Sequence, residues 1–252
     1  MFRKAIAKKL EERTPDFRLR GHEIRRIEAF SDAVFGFAVT LLIVSLEVPK
    51  SFDELTITMR GFAAFGISFI VLMMIWFEQN IFFRRYGLDD IRTIALNCIL
   101  IFLVLFYVYP LKFLFTLMFS EQIYGAGHSP FIIKTQDVRK LMMIYGAGYM
   151  LIYILFFFMY LHALAKKNIL QLTAIEIFET RSQLFKYVIL VCIGGVSLIF
   201  AQLLPPEQAG FAGFAYMLIG PALSIFYSRR SKQKEKLRKI EIDNVHNFVQ
   251  NK

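Results

Sequence analysis

Apolar residues run in long blocks along this chain, and the charges are pushed into the gaps between them. The blocks fall at about 28–48, 59–80, 93–119, 140–164, 185–204 and 209–227. Each approaches the ~20 consecutive apolar residues that a helix needs to cross a bilayer core of ~30 Å. A soluble domain would break its apolar residues into short periods instead. The pattern therefore predicts an all-α membrane protein with six transmembrane helices per subunit. Residues 1–252 are expected to form a single six-span membrane domain, with a basic N-terminal segment at 1–25 and a basic C-terminal helix or tail at 228–252.

The first block differs from the others. In Arg26 to Pro49, RIEAFSDAVFGFAVTLLIVSLEVP, Asp32 lies near one end and Glu47 near the other, so only Ala33 to Leu46 is free of charge. A carboxylate in the hydrocarbon costs at least ~2.5 kcal/mol on insertion scales unless it meets water or a partner. The remaining blocks read as free of that burden, so the first is expected to face protein or water. On a helix, Ala33, Phe37, Thr40, Val44 and Glu47 share one stripe, flanked by Leu41. If several copies met around an axis, the stripe would present a ring of Phe37 and, a turn further in, a ring of Thr40. An apolar ring can close a pore by dewetting, and Thr hydroxyls can replace part of an ion's hydration shell. Alternatively, Phe37 and Val44 simply pack a helical bundle.

Other features along the chain refine the elements. The second block carries Gly61, Ala63, Ala64 and Gly66, small residues that let helices approach, and ends in IWFEQN with Trp76. That tryptophan either anchors the interface or belongs to a polar cluster with Glu78, Gln79 and Asn80 facing the first block. Asn97 is expected to bond a neighbouring helix, and Pro110 to kink or end the third span. YGAG occurs at Tyr124–Gly127 and Tyr145–Gly148, but neither copy has the preceding Thr-Val or pore helix of a P-loop filter, so small-residue packing is the expectation. The stretch from Lys166 to Lys186 is amphipathic and predicts a helix lying along the inner interface. Gly210, Gly213 and Gly220 with Pro221 suggest close packing and a bend in the sixth span.

Composition agrees with the pattern: 56% of the 252 residues are hydrophobic and 28 are Phe. The net charge of +10 would suit nucleic acid, but its distribution reads as topology. Basic residues concentrate before span one (Arg3 to Arg26), after span two (Arg84, Arg85, Arg92), after span four (Lys166, Lys167, Arg181) and in the tail (Arg229 to Lys239). With an even number of spans these segments share one side, which places both termini in the cytoplasm. The N-terminal basic run, with Phe2, Ile6 and Leu10 at helical spacing, suits either a membrane-surface helix or a solvated tail, and it lacks the short apolar region of a removable signal peptide. Cys98 and Cys192 read as packing residues, and His22, His128, His162 and His246 have no second metal ligand at i+3 or i+4. HExxH, GxSxG and Walker A patterns are absent, so no enzyme is expected.

Arg26, Phe30, Ser31 and Asp32 reproduce an RxxxFSD signature, and RIEAFSDAVFGFAVTLL resembles the first helix of transmembrane protein 175 channels, the lysosomal potassium channel and its prokaryotic relatives. Trp76, Leu96 with Asn97, and Pro110 extend the resemblance. It implies a potassium-permeable channel without a P-loop filter, lined by the first helices of a homotetramer in single-repeat chains. It maps a hydrophobic constriction to Phe37 and a polar ring to Thr40. It also implies a hydrogen-bond network of Arg26, Phe30, Ser31 and Asp32 with Trp76 and Asn97. Two departures stand out: Phe37 replaces the usual Ile or Leu, and the His that often follows the span-two Trp is replaced here by Glu78, Gln79 and Asn80. No cofactor is expected beyond permeant potassium ions. The expected partners are other copies of the chain, monovalent cations and lipid, without nucleic acid, in the cell's inner membrane. The rival function is a proton- or ion-coupled secondary transporter using Asp32.

Overall fold

Serine, threonine and glycine at the ends of the apolar blocks set where the helices begin and stop. Ser51, in extended backbone, accepts the Glu54 amide at 3.1 Å and starts a helix that ends on Gly87, whose φ of 56° needs a residue without a Cβ. Thr173 and Glu176 form a reciprocal capping box. The computed structural model describes residues 17–21, 23–44, 49–125 and 134–250, with residues 44, 135, 136, 206, 207 and 239–250 described by backbone alone. The described residues contain seven α-helices: α1 (Arg26–Val44), α2 (Phe52–Tyr86), α3 (Ile91–Met118), α4 (Ser120–Tyr124), α5 (Thr135–Ala165), α6 (Ala174–Leu203) and α7 (Ile219–Gln250). A 3₁₀ run, Pro206–Leu218, leads into α7.

Five segments are long and apolar enough to cross a membrane: Phe52–Tyr86, Ile91–Met118, Asp137–Ala165, Ala174–Leu203 and Gln208–Arg238. The 19-residue α1, with Arg26, Glu28 and Asp32 near its start, is not among the five. The expected N-terminal surface helix up to residue 16, Glu47, and the first YGAG copy beyond Gly125 lie outside the described residues, as do the side chains of the expected C-terminal helix from residue 239 on.

Several elements differ from expectation. Pro110 does not end its helix; α3 runs through it, and the Tyr145 hydroxyl donates to the Pro110 carbonyl. The second YGAG copy is helical, inside α5. A Cβ on Gly146 would lie 2.5 Å from Leu198 Cδ2, and one on Gly148 2.5 Å from Tyr107 Cε2, so these glycines admit neighbouring helices. By contrast, Gly61, Gly66, Gly210, Gly213 and Gly220 have open space where a Cβ would sit, so they create no close approach within the protomer. Cys98 and Cys192 are exposed rather than packed.

The segment expected along the inner interface is instead a turn followed, from Ala174, by the first turns of α6, continuous with the span. Its polar stripe turns into protein. Glu176 accepts the Arg18 amide at 2.8 Å and the Arg20 guanidinium at 2.7 and 2.9 Å. Thr180 shares a hydrogen bond with the buried Tyr86 hydroxyl at 2.7 Å. These contacts hold the chain ahead of α1 under the bundle, where Phe17 packs edge-on against Tyr86 and the Arg20 and Gly21 amides donate to the Arg84 carbonyl. The core above is aromatic, with Phe82, Phe83, Tyr86, Phe156, Tyr160 and Tyr187 fully buried between α2, α5 and α6.

Asp90, just before α3, joins that helix to the end of α5. It accepts the Thr93 hydroxyl at 2.8 Å and lies 2.8 Å from His162 Nε2 and 3.1 Å from Lys166 Nζ. Burial alone would raise its carboxyl, but the Thr93, Lys166 and His162 partners outweigh it and hold the group well below the usual carboxylate range.

Candidate functional site

Helix α1 packs on α2 and α3 through one narrow face. Ser31, Phe35, Ala38 and Leu42, spaced by four, three and four, are all buried. The spacing is that of one helical stripe, so the opposite stripe is left uncovered in the protomer. Ala33, Phe37 and Thr40 lie there, with Phe37 57% exposed. Leu41 flanks them, partly buried against the core. Val44 closes the helix, with only its backbone described. The Thr40 hydroxyl donates back to the Phe37 carbonyl at 2.7 Å, which leaves the oxygen's lone pairs directed away from its own helix.

Behind this face runs a buried relay of polar side chains. The Gln79 amide donates to Asn97 Oδ1 at 2.5 Å, Asn97 Nδ2 donates to Ser31 Oγ at 2.8 Å, and Ser31 donates to the Ile27 carbonyl at 2.7 Å. All three side chains are at most 2% exposed, and each comes from a different helix, α2, α3 or α1. Beside them Trp76 Nε1 donates to Asp32 Oδ1 at 2.7 Å, an exposed pair that ties α2 to α1. Of the expected network, Ser31, Asp32, Trp76 and Asn97 thus make hydrogen bonds between helices. Phe30 is 55% exposed and makes no such link. Arg26 is also exposed, has no hydrogen bond or ion pair to a described residue, and lines an open cleft of about 700 Å³ with Arg20, Glu23, Arg25 and Asp89. The neighbouring Arg25, not Arg26, pairs with Asp89.

The expectation that charge burdens the first span alone is corrected by three further groups. Lys112 of α3 donates to the Leu42 carbonyl of α1 at 2.8 Å. Lys186 of α6 is 6% exposed and reaches both oxygens of Glu78 at 2.7 and 2.8 Å, and the Tyr187 hydroxyl donates to the same carboxylate at 2.8 Å. Each is answered by a partner on another helix, as charges within a membrane segment must be. The polar cluster of IWFEQN, offered as facing the first block, is divided instead: Trp76 reaches Asp32 of α1, but Gln79 meets Asn97 of α3 and Glu78 meets Lys186 and Tyr187 of α6. Among the described residues no group of three His, Cys, Asp or Glu side chains is placed to hold a metal ion.

Residues 26–108, which hold α1, α2 and most of α3, match the family described as endosomal/lysosomal potassium channel TMEM175. A protein of Marivirga tractuosa named as a potassium channel is 38% identical over 236 residues, covering 88% of this chain and 94% of that one. The chain belongs to the TMEM175 family. A Streptomyces collinus potassium channel is 33% identical to this TMEM175-family chain over 89 residues, covering 33% of it and 43% of the relative. In three dimensions it is similar to the crystal structure of a threonine-to-alanine variant of the potassium channel MtTMEM175. The TM-score is 0.76 at 36% identity, over 86% of this chain and 98% of that one. The crystal structure of a TMEM175 homolog from Chamaesiphon minutus shares the fold, with a TM-score of 0.53 at 21% identity over 81% of this chain and 96% of that one. The relatives are named as channels, and the fold is that of a multi-pass helical membrane protein.

Proposed function

We propose that this chain is one subunit of a homotetrameric, potassium-permeable cation channel in the cell's inner membrane, with α1 of each copy lining the pore. Six spans then cross the bilayer, α1 included, and both termini are cytoplasmic. The single observation that carries the reading is the division of α1 into a packed face and a free face. The free face bears Ala33, Phe37 and Thr40. A helix with Arg26, Glu28 and Asp32 at its start is a poor candidate for lipid contact, so its uncovered stripe suits a water-filled axis better than the rim.

In this reading Phe37 forms a hydrophobic constriction and Thr40 a polar ring beside it. Because each Thr40 hydroxyl already donates to Phe37, its oxygen is oriented to accept, which suits a partly dehydrated cation and not an anion. Leu41, partly buried against the core, flanks the path. Selectivity comes from hydroxyls and pore width, without a carbonyl filter.

The test is ion flux into liposomes containing the purified protein, comparing potassium, sodium and protons. Channel-like flux that favours potassium is expected, and Phe37→Ala or Phe37→Asn should raise it by removing the constriction. Unchanged flux in both variants would refute a Phe37 constriction. Saturable flux with a fixed ion stoichiometry would favour a transporter using Asp32.

A further inference from the structure

A groove unconnected with the free face of α1 lies on the outside of the bundle, between the first turns of α3 and the last turns of α5. It encloses about 490 Å³ and is walled by Ala95 and Leu96 from α3 and by Phe158, Leu161 and Ala165 from α5. That volume is within the range of ~300–1,000 Å³ typical of pockets for small ligands. The wall residues recur at helical spacing on both helices, so the groove is a straight furrow between two packed cylinders. Phe158 and Leu161 remain 48% and 42% exposed, which leaves the furrow open to whatever surrounds the protein.

Its rim has a different chemistry. Arg92 stands at the groove's end, exposed and with no hydrogen bond or ion pair to a described residue. The rim's carboxylate, Asp90, is already taken by Thr93, His162 and Lys166. It therefore does not neutralise Arg92, and the mouth of the groove keeps a positive charge. Arg92 is the second residue of an apolar helix long enough to span the bilayer, so its guanidinium sits at the level where the hydrocarbon meets the headgroups.

From these features we infer that the groove is a binding site for an anionic phospholipid, with one acyl chain along Ala95, Leu96, Phe158 and Leu161 and the phosphate at Arg92. The occupant must be apolar along its length and anionic at one end. A second copy of the chain would need to place a carboxylate at headgroup depth to meet Arg92. A zwitterionic lipid would bring its own cation to the same rim. Anionic lipids are drawn to basic groups at this level of the membrane. The site lies apart from the pore, so it stands whether or not α1 lines one.

Full-length protein in liposomes would be irradiated with phosphatidylglycerol bearing a photoactivatable acyl chain, and labelled peptides mapped by mass spectrometry. A phosphatidylcholine probe with the same chain serves as the comparison. The wild type should carry phosphatidylglycerol label on the groove faces of α3 and α5 in excess of phosphatidylcholine label. Arg92→Gln should lower that label about fivefold, equivalent to ~1 kcal/mol for one headgroup contact, and Arg92→Lys should regain most of it. Leu161→Trp, which fills the furrow, should remove the label while the protein keeps its thermal unfolding midpoint. Equal labelling by the two lipids, an Arg92→Gln variant labelled like the wild type, or a groove without label would each overturn the inference.

Discussion

At Asn97 one side chain holds three helices. Its amide receives a hydrogen from Gln79 and gives one to Ser31, with none of its surface exposed. An Asn97→Ala substitution leaves the Gln79 donor without an acceptor in a buried site, at a cost of about 1–3 kcal/mol. The variant should therefore unfold at a lower temperature in detergent, followed by Trp76 fluorescence. An unchanged midpoint would mean that water or a rearranged side chain takes the amide's place. That Asn97 would bond a neighbouring helix was legible from its position in an apolar run. Its partners were not, because Ser31, Gln79 and Asn97 lie far apart in the chain and only the crossing of their helices sets them side by side. The same limit explains Arg26, which shares the RxxxFSD motif with Ser31 and Asp32 yet points into an open cleft while Arg25 takes the ion pair.

Helices were legible as blocks and less so as interfaces. The apolar blocks located the five segments long enough to cross a membrane, and the capping residues Ser51 and Thr173 mark where two of them start. Which glycines matter depends on what lies opposite. Gly148 faces the ring of Tyr107, whose hydroxyl is held by the Tyr145 carbonyl at 3.0 Å, so the ring cannot easily move aside. Gly148→Ala should destabilise the bundle by about 1–3 kcal/mol through overpacking. Gly195→Ala, where nothing lies within 4 Å, should cause no loss. Equal midpoints for the two variants would sink the distinction. The junction of α3 with α5 makes a separate prediction about pH. Asp90 titrates below its ordinary value in the folded state, so the stability it supplies is full above the unfolded carboxylate value and is lost as the pH falls below about 4. The gap in unfolding midpoint between wild type and Asp90→Asn should accordingly be widest near neutrality and narrow on acidification. A gap that widens with acid would contradict the assignment.

For the molecule as a whole, the protomer leaves one stripe of α1 uncovered, and in the proposed assembly a neighbouring copy decides what meets it. Asp32 lies at the edge of that stripe and is tied to Trp76. Asp32→Ala should therefore impair folding or assembly more than it alters ion preference, measured as the yield of the proposed tetramer by size-exclusion chromatography beside potassium and sodium flux in liposomes. A fully assembled variant with changed selectivity would instead put the Asp32 carboxylate in the ion path.

Hydropathy sums along the chain and needs no partner, so the sequence by itself determined that this is a helical membrane protein and that its first helix carries charge at its start. Charge pairing and packing depend on which helices cross and at what height. Only the tertiary structure could join Ser31 to Asn97 and Gln79, turn the polar stripe of α6 inward onto Arg20 and Tyr86, and set Lys186 against Glu78. The physical reason is range: burying an apolar block needs only lipid, whereas a buried polar group is tolerable only where a complementary group from elsewhere in the chain arrives within hydrogen-bond distance.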